Sequence, residues 1–296
     1  MKDYESKNIQ DITYSDIPFL SLVNSNIRGK IQLQHNICYY VNYQPEQNNN
    51  YFGKVDQTIF DYPDIDSKTI GLYVWLVTHA NKFDSTNTIE IKSLSISTII
   101  MNLKGEVRRS SRIKLEESLK WLEKKQLIIR KNTFVYKNDQ YFNVYIPSNI
   151  SRFCKVYLYS VDKIISNAKS ISSLTKLGTY AAVRSRIFER DNDCYGWVCN
   201  YGEHYLANQS KLSIKTYQNN IKWLCDNEIF AYFIGTKAPD KDGNIGRKKR
   251  FMSEMKDHCL LAGDMMGQIL NGQLTWVSLN NSDEYVDTEL DKAEGE

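Results

Sequence analysis

The stretch SIKTYQNNIKWLCDNEI, residues 213–229, opens on a serine and then places Tyr217, Ile221 and Leu224 one helical turn apart. Apolar residues at that spacing line one stripe of an α-helix, and a serine just before them accepts a hydrogen bond from the first free backbone N–H groups. The spacing therefore predicts a capped helix over about 213–228, with an apolar strand beginning at Ile229. Upstream, SRIKLEESLKWLEKKQL (residues 111–127) repeats the pattern at a step of 102 residues, so that Trp121 matches Trp223, Leu122 matches Leu224 and Leu127 matches Ile229.

The match extends outward from this core. Thr69-Ile70-Gly71-Leu72-Tyr73 resembles Lys176-Leu177-Gly178-Thr179-Tyr180, and Lys54-Val55 resembles Lys155-Val156 at the head of each copy. Self-similarity at this period means one structural unit used twice. In each copy the apolar period predicts a first helix (about 67–82 and 173–190), a short second helix (93–102 and 203–209) and a longer third (110–125 and 213–228). Strands Leu127–Ile129 and Ile229–Phe233 follow, then turn signals at Lys137–Gln140 and Asp242–Asn244, then return strands at Tyr141–Ile146 and about Lys249–Met252. Three helices and a hairpin make a winged helix-turn-helix. The predicted class is α+β, mainly helical, with two such domains in tandem at 52–148 and 152–256. They are flanked by an arm and linker (1–51), an extension (257–280) and an acidic disordered tail (281–296).

In this unit the third helix enters the major groove and the hairpin lies along neighbouring phosphates. The second copy offers Ser213, Lys215, Thr216, Gln218 and Asn219 near the start of that helix. Gln and Asn pair with adenine, Lys reaches guanine, and Thr meets the thymine methyl. The matching stretch of the first copy carries Arg108, Arg109, Ser110, Arg112 and Lys114, followed by Glu117. In the second hairpin, Lys241, Arg247, Lys248, Lys249 and Arg250 suit phosphate contact. Trp121 and Trp223 are expected in the core beneath the hairpins.

The order Lys-Val, an Ile-Gly-x-Tyr or Leu-Gly-x-Tyr helix, and Ser-x-x-Thr-Tyr-x-x-x-Ile-Lys-Trp-Leu-x-x-x-x-Ile at 213–229 resembles the winged-helix replication initiators of plasmids and phages of low-GC Gram-positive bacteria. The similarity covers about residues 52–255. It implies a reader of repeated elements at an origin that recruits host replication proteins. Two features depart from it: the extra basic segment Lys104–Arg109 in the first copy, and everything after about residue 260.

Composition narrows the alternatives. A chain of 296 residues with 42% hydrophobic content can bury a core of about two domains. Its net charge of +3 conceals a division: residues 281–296 hold seven acids against Lys292 alone, whereas residues 104–131 hold ten Lys/Arg against four Glu. The polar, acidic start and the lack of a long apolar run predict neither a secretory signal nor a membrane span, and so a cytoplasmic protein. Six scattered cysteines are expected as free thiols, and Cys194, Cys199 and His204 lack a fourth metal ligand. No phosphate-cradling GK[ST] loop, HExxH or GxSxG occurs, so the reading includes no catalytic centre, cofactor or metal. The expected partner is double-stranded DNA, with direct repeats bound head to tail and one protomer covering an asymmetric site of about 20 base pairs. A transcriptional regulator of a mobile element is the alternative function, and a winged-helix scaffold for proteins is the third.

Overall fold

The computed structural model describes residues 31–34, 37–40, 51–82, 88–168, 170–188, 197–237, 248–257, 261, 264, 265, 268 and 274–276. The chain is an α+β protein with antiparallel sheets. It divides into a larger unit, residues 44–188 with 205–229, and a smaller one, residues 1–43, 189–204 and 230–296. The boundary expected between residues 148 and 152 therefore falls inside the larger unit.

In the smaller unit, β1 (Ile31–Gln34) pairs antiparallel with β2 (Ile37–Tyr40), inside the segment expected to be arm and linker. The larger unit starts with β3 (Phe52–Asp56) and a short 3-10 turn, then α1 (Ser67–His79), β4 (Asn81–Lys82), β5 (Thr88–Leu94), α2 (Ile96–Asn102) and α3 (Arg109–Lys124). It continues through β6 (Ile129–Tyr136), β7 (Asp139–Pro147), β8 (Phe153–Tyr157), α4 (Leu158–Ala168) and α5 (Ser173–Arg184). The short helix α6 (Glu203–Gln209) straddles the division, and α7 (Ile214–Asp226) completes the larger unit. In the smaller unit β9 (Phe230–Lys237) pairs antiparallel with both β10 (Lys248–Glu254) and β11 (Leu274–Trp276). The extension expected after residue 256 thus supplies a strand, and Leu261 and Met265 are buried.

Local chemistry sets the helix ends. Asp66 caps α1 by accepting from the Thr69 N–H at 2.7 Å, and Ser95 and Ser213 cap α2 and α7 through the N–H groups of Thr98 and Thr216. At the other end α3 and α7 stop alike: Gln126 (φ 58°) and Glu228 (φ 56°) turn left-handed, and Leu127 and Ile229 donate back to the carbonyls of Leu122 and Leu224 at 3.0 and 2.9 Å. The turns before α3 and α7 each begin with a left-handed lysine, Lys104 and Lys211, both at φ 56°. β6 and β7 are joined at Lys137 and Asn138, whose φ values of 46° and 63° define a two-residue hairpin turn matched to strand twist.

The core is organised around α1 and α5. Ile70, Leu72, Tyr73, Val74, Trp75, Leu76 and Val77 of α1 are all buried, as befits a helix covered on every side. The two helices meet through their glycines: a methyl at Gly71 would lie 1.9 Å from the Leu174 carbonyl oxygen, and one at Gly178 would lie 2.4 Å from that of Ser67. Ser67 and Leu174 each stand four residues before the glycine of their own helix, so the contact is reciprocal between the two copies. β3 and β8 obey the same rule. They pair antiparallel with Lys54 opposite Lys155, the two head lysines of the repeat. α3 packs on α1 and α7 on α5, and in each case a polar residue at the same repeat position reaches a threonine: Ser118 with Thr69, Asn220 with Thr179, both at 2.9 Å. Within the larger unit the first helices and head strands of the copies are thus related by a local pseudo-two-fold.

The close approach carries a prediction. Gly71→Ala and Gly178→Ala each force backbone against backbone and are expected to destabilise by about 3 kcal/mol or more. Gly202→Ala, where nothing lies within 4 Å, should stay within about 0.5 kcal/mol of the parent. Urea unfolding of the three variants checks this, and a neutral Gly71→Ala would contradict the packing.

Candidate nucleic-acid interface

The third helices carry the residues singled out by sequence. On α7, Tyr217, Ile221 and Leu224 face the core, leaving Ser213, Lys215, Thr216 and Asn219 exposed and Gln218 half-buried. Lys215 and Asn219 lie one turn apart and so share the outward side, with Lys222, paired to Asp226 at 3.7 Å, beyond them. The serine cap leaves the remaining N–H groups of the first turn at the same end as these side chains. Donors of several kinds converge there: an ammonium, an amide and a hydroxyl.

α3 presents a different surface on the same frame. Arg108, Arg109, Ser110 and Lys114 are exposed, but Arg108 is paired with Glu106 in the turn. Arg112 is committed internally, donating to Ser97 Oγ at 2.8 Å and to the Asp139 carboxylate at the base of the hairpin turn. It ties α2, α3 and the hairpin together. Lys114 lies to one side, lining with Asp66, Thr69, Glu117, Trp121 and Ile171 a cleft of about 450 Å³. The outward positions matching Lys215 and Asn219 are Ile113, 49% exposed, and Glu117. Sequence reasoning passed over Ile113 although the repeat step aligns it with Lys215. It also passed over the exposed Met101 and Val107 before α3.

Both tryptophans differ from expectation. Trp121 and Trp223 are half-buried, because Leu119, Leu122, Ile221 and Leu224 fill the inward stripe and turn the indoles to the helix flank. Trp121 meets the Tyr62 ring edge-on at 5.3 Å and donates to Asp64 at 3.2 Å, while Lys176 stands 4.8 Å above Trp223. Burial lowers the pKa of that lysine.

In the smaller unit the second hairpin is formed by β9 and β10. Lys249 is exposed, whereas Arg250 turns back toward the buried Glu203 at 3.8 Å and over the Tyr232 ring at 5.5 Å. Lys248 begins β10; Lys241 and Arg247 lie outside the described residues. Cys199 is buried and bridges to Met252 through its backbone, Cys154 and Cys225 are buried, and Cys194 lies outside the described residues. No helix among the described residues is long and apolar enough to cross a membrane. Comparison with protein-family models, curated proteins and solved structures finds no match.

The first hairpin is held to α3 by charge. Arg130 of β6 donates to both carboxylate oxygens of Glu116 at 2.8 and 2.9 Å and to Glu123 at 3.0 and 3.3 Å. These hydrogen bonds outweigh desolvation and hold the Glu116 carboxyl below the usual range. A depressed folded-state pKa contributes stability that is complete above the unfolded value, about 4.3, and is lost as pH falls through the folded one. Glu116→Gln is therefore expected to melt below the parent at pH 7, with the gap closing as pH drops under about 4. Circular-dichroism melts across that range test it, and a gap independent of pH would remove the ion pair from the account.

Proposed function

We propose that this chain reads double-stranded DNA sequence-specifically through two winged helix-turn-helix modules, and that it is a replication initiator of a plasmid or phage. The observation that carries the reading is the capped start of α7, where Lys215, Thr216 and Asn219 stand exposed beside free helix N–H groups. Those side chains match the hydrogen-bonding edges of guanine and adenine and the thymine methyl, and helix N-termini suit phosphate. The helix–turn–helix order of both copies and the basic second hairpin support the same reading. So does the sequence resemblance to initiators, which favours origin binding and recruitment of host replication proteins over regulation of transcription.

The reciprocal contacts of α1 with α5 and of β3 with β8 favour inverted half-sites over direct repeats for a single protomer. Readers related by a local two-fold meet half-sites in opposite orientations, as in dimeric helix-turn-helix proteins, although here one chain supplies both. Because Ile113 and Glu117 replace Lys215 and Asn219, the two half-sites differ in sequence. The exposed Met101, Val107 and Ile113 favour a second reading, in which the first module docks a protein while the second binds DNA.

Selection from a random duplex library separates these readings. The expected product is a pair of unequal, inverted half-sites occupied by one protomer in sedimentation; one enriched half-site supports the second reading, and no enriched sequence rejects DNA reading altogether. On the selected site, Lys215→Ala and Asn219→Ala should each cost about 1–3 kcal/mol at particular base pairs, whereas Lys249→Ala weakens all sequences alike. With roughly six phosphates engaged, affinity should fall with salt at a log–log slope near −5.

A further inference from the structure

The sheet ordered β4-β5-β7-β6 has one face packed inward, where Phe142, Val144 and Ile146 of β7 are buried. The intervening residues Tyr141, Asn143 and Tyr145 point to the other face, which carries aromatic rings. Phe134 of β6, 49% exposed, stacks on Tyr141 with centroids 4.6 Å apart and planes at 10°. Two residues on, Tyr136 is 56% exposed. Cations stand over these rings: Lys131 lies 5.0 Å above Tyr145 and Lys137 lies 5.3 Å from Tyr136. Arg130, by contrast, points to the inner face and is satisfied by Glu116 and Glu123. Among the described residues, Glu90 on the outer face is engaged by Asn143 and Lys92, and Asp139 at the turn end of β7 is engaged by Arg112.

From this arrangement we infer that the outer face of the first module's sheet is a stacking platform for single-stranded nucleic acid. Rings on an exposed sheet face offer flat apolar surface to unpaired bases of any identity, and flanking ammonium groups meet the phosphates between them. Tyr141 and Tyr145 lie about 14 Å apart along β7, room for more than one base. An ordinary cross-strand aromatic pair that only staples a hairpin accounts for Phe134 on Tyr141. It does not account for Tyr136 and Tyr145 along the same face, each beside its own lysine. Chemistry for reading base edges is sparse there, so recognition is by stacking and charge. This surface is separate from the outward sides of α3 and α7, and the inference does not depend on their reading of duplex DNA.

The test uses the full chain with fluorescent oligothymidylate and oligouridylate of about 16 nucleotides, beside a random-sequence duplex. Anisotropy should report binding of the single strands, and the stronger of the two identifies the preferred sugar. Phe134→Ala and Tyr145→Ala should each weaken it by about 5- to 100-fold. Phe134→Tyr, which keeps the ring, should retain it, and Lys131→Glu should weaken it with every ring in place. The three ring variants should leave duplex binding within about two-fold, whereas Lys215→Ala with Asn219→Ala should leave single-strand binding unchanged. Absence of single-strand binding, or binding indifferent to Phe134 and Tyr145, overturns the platform while leaving duplex reading intact. Equal losses on duplex and single strand in the ring variants also overturn it, since the face would then be part of the duplex interface.

Discussion

The close approach of α1 and α5 is the constraint on which the larger unit depends. Two helix backbones come this near only where Cβ is absent, and Gly71 and Gly178 supply that absence at equivalent places in the two copies. The head strands follow the same symmetry, and the third helices are held alike, though not at matching threonines. Lys54 lies opposite Lys155 in the strand pair, and each third helix is pinned to its own first helix by a buried polar contact, Thr69 with Ser118 and Thr179 with Asn220. Arg184, fully buried, donates to the Lys155 carbonyl at 2.9 Å and lies 5.0 Å from the Tyr157 ring, so the end of α5 also holds β8 in register. The repeat is therefore more than two beads on a string. Its first helices share one core, and loosening either glycine contact disturbs both third helices at once.

On that common frame the two copies have diverged where they meet solvent. The step from the left-handed lysine to the third helix is short in the second copy, Lys211 to Ile214, and longer in the first, where Gly105, Glu106, Val107 and Arg108 intervene. The longer turn replaces a serine cap with an arginine that makes no side-chain cap, and the start of α3 is secured instead by Arg112 bridging Ser97 and Asp139. The Asp139 carboxyl is desolvated, which raises its pKa, but the hydrogen bonds from Ser97 and Arg112 prevail and hold it low. The start of α3 is thus held by an ion pair, where the start of α7 is held by its serine cap.

Much of this was legible in the sequence, and the exceptions have physical causes. The third helices, their shared end and the hairpins could be read because short-range signals specify them: a 3.6-residue apolar period, Ser213 as a cap, a two-residue turn at Lys137 and Asn138. The strand pair β3 with β8 could not, since two short apolar runs about a hundred residues apart carry no sign of each other beyond the Lys-Val match. α4 was missed for a related reason: it lies in the second copy between head strand and first helix, where the first copy has only a short 3-10 turn, so the repeat gave no guide to it. Residue types suited to DNA were found, but not their use. Arg112 reads as a groove contact until Asp139 is brought beside it by a hairpin, and Trp121 reads as core until Tyr62 and Asp64 are found at its flank. Gly71 and Gly178 were noticed as a matching pair, yet their role is visible only when one helix lies on the other.

The same distinction bears on charge. Of the ten basic residues between positions 104 and 131, Arg108, Arg112, Lys120, Lys125 and Arg130 are drawn into ion pairs with Glu106, Asp139, Glu116, Asp64 and the Glu116–Glu123 pair. Those partners come from α3 itself, from the turn before it, from the hairpin and from the segment before α1, so folding neutralises half of a run that looks uniformly basic when read in order. Lys104, Arg109, Lys114, Lys124 and Lys131 are the exposed cations outside those ion pairs, and they do not form one patch: Lys114 borders the cleft beside α1, Lys131 lies on the outer sheet face, and Arg109 and Lys124 mark opposite ends of α3. A linear count of positive charge therefore overstates what any single surface can offer to phosphate. In the first copy the exposed cations are divided between a helix and a sheet, and on the sheet Lys131 stands over the ring of Tyr145.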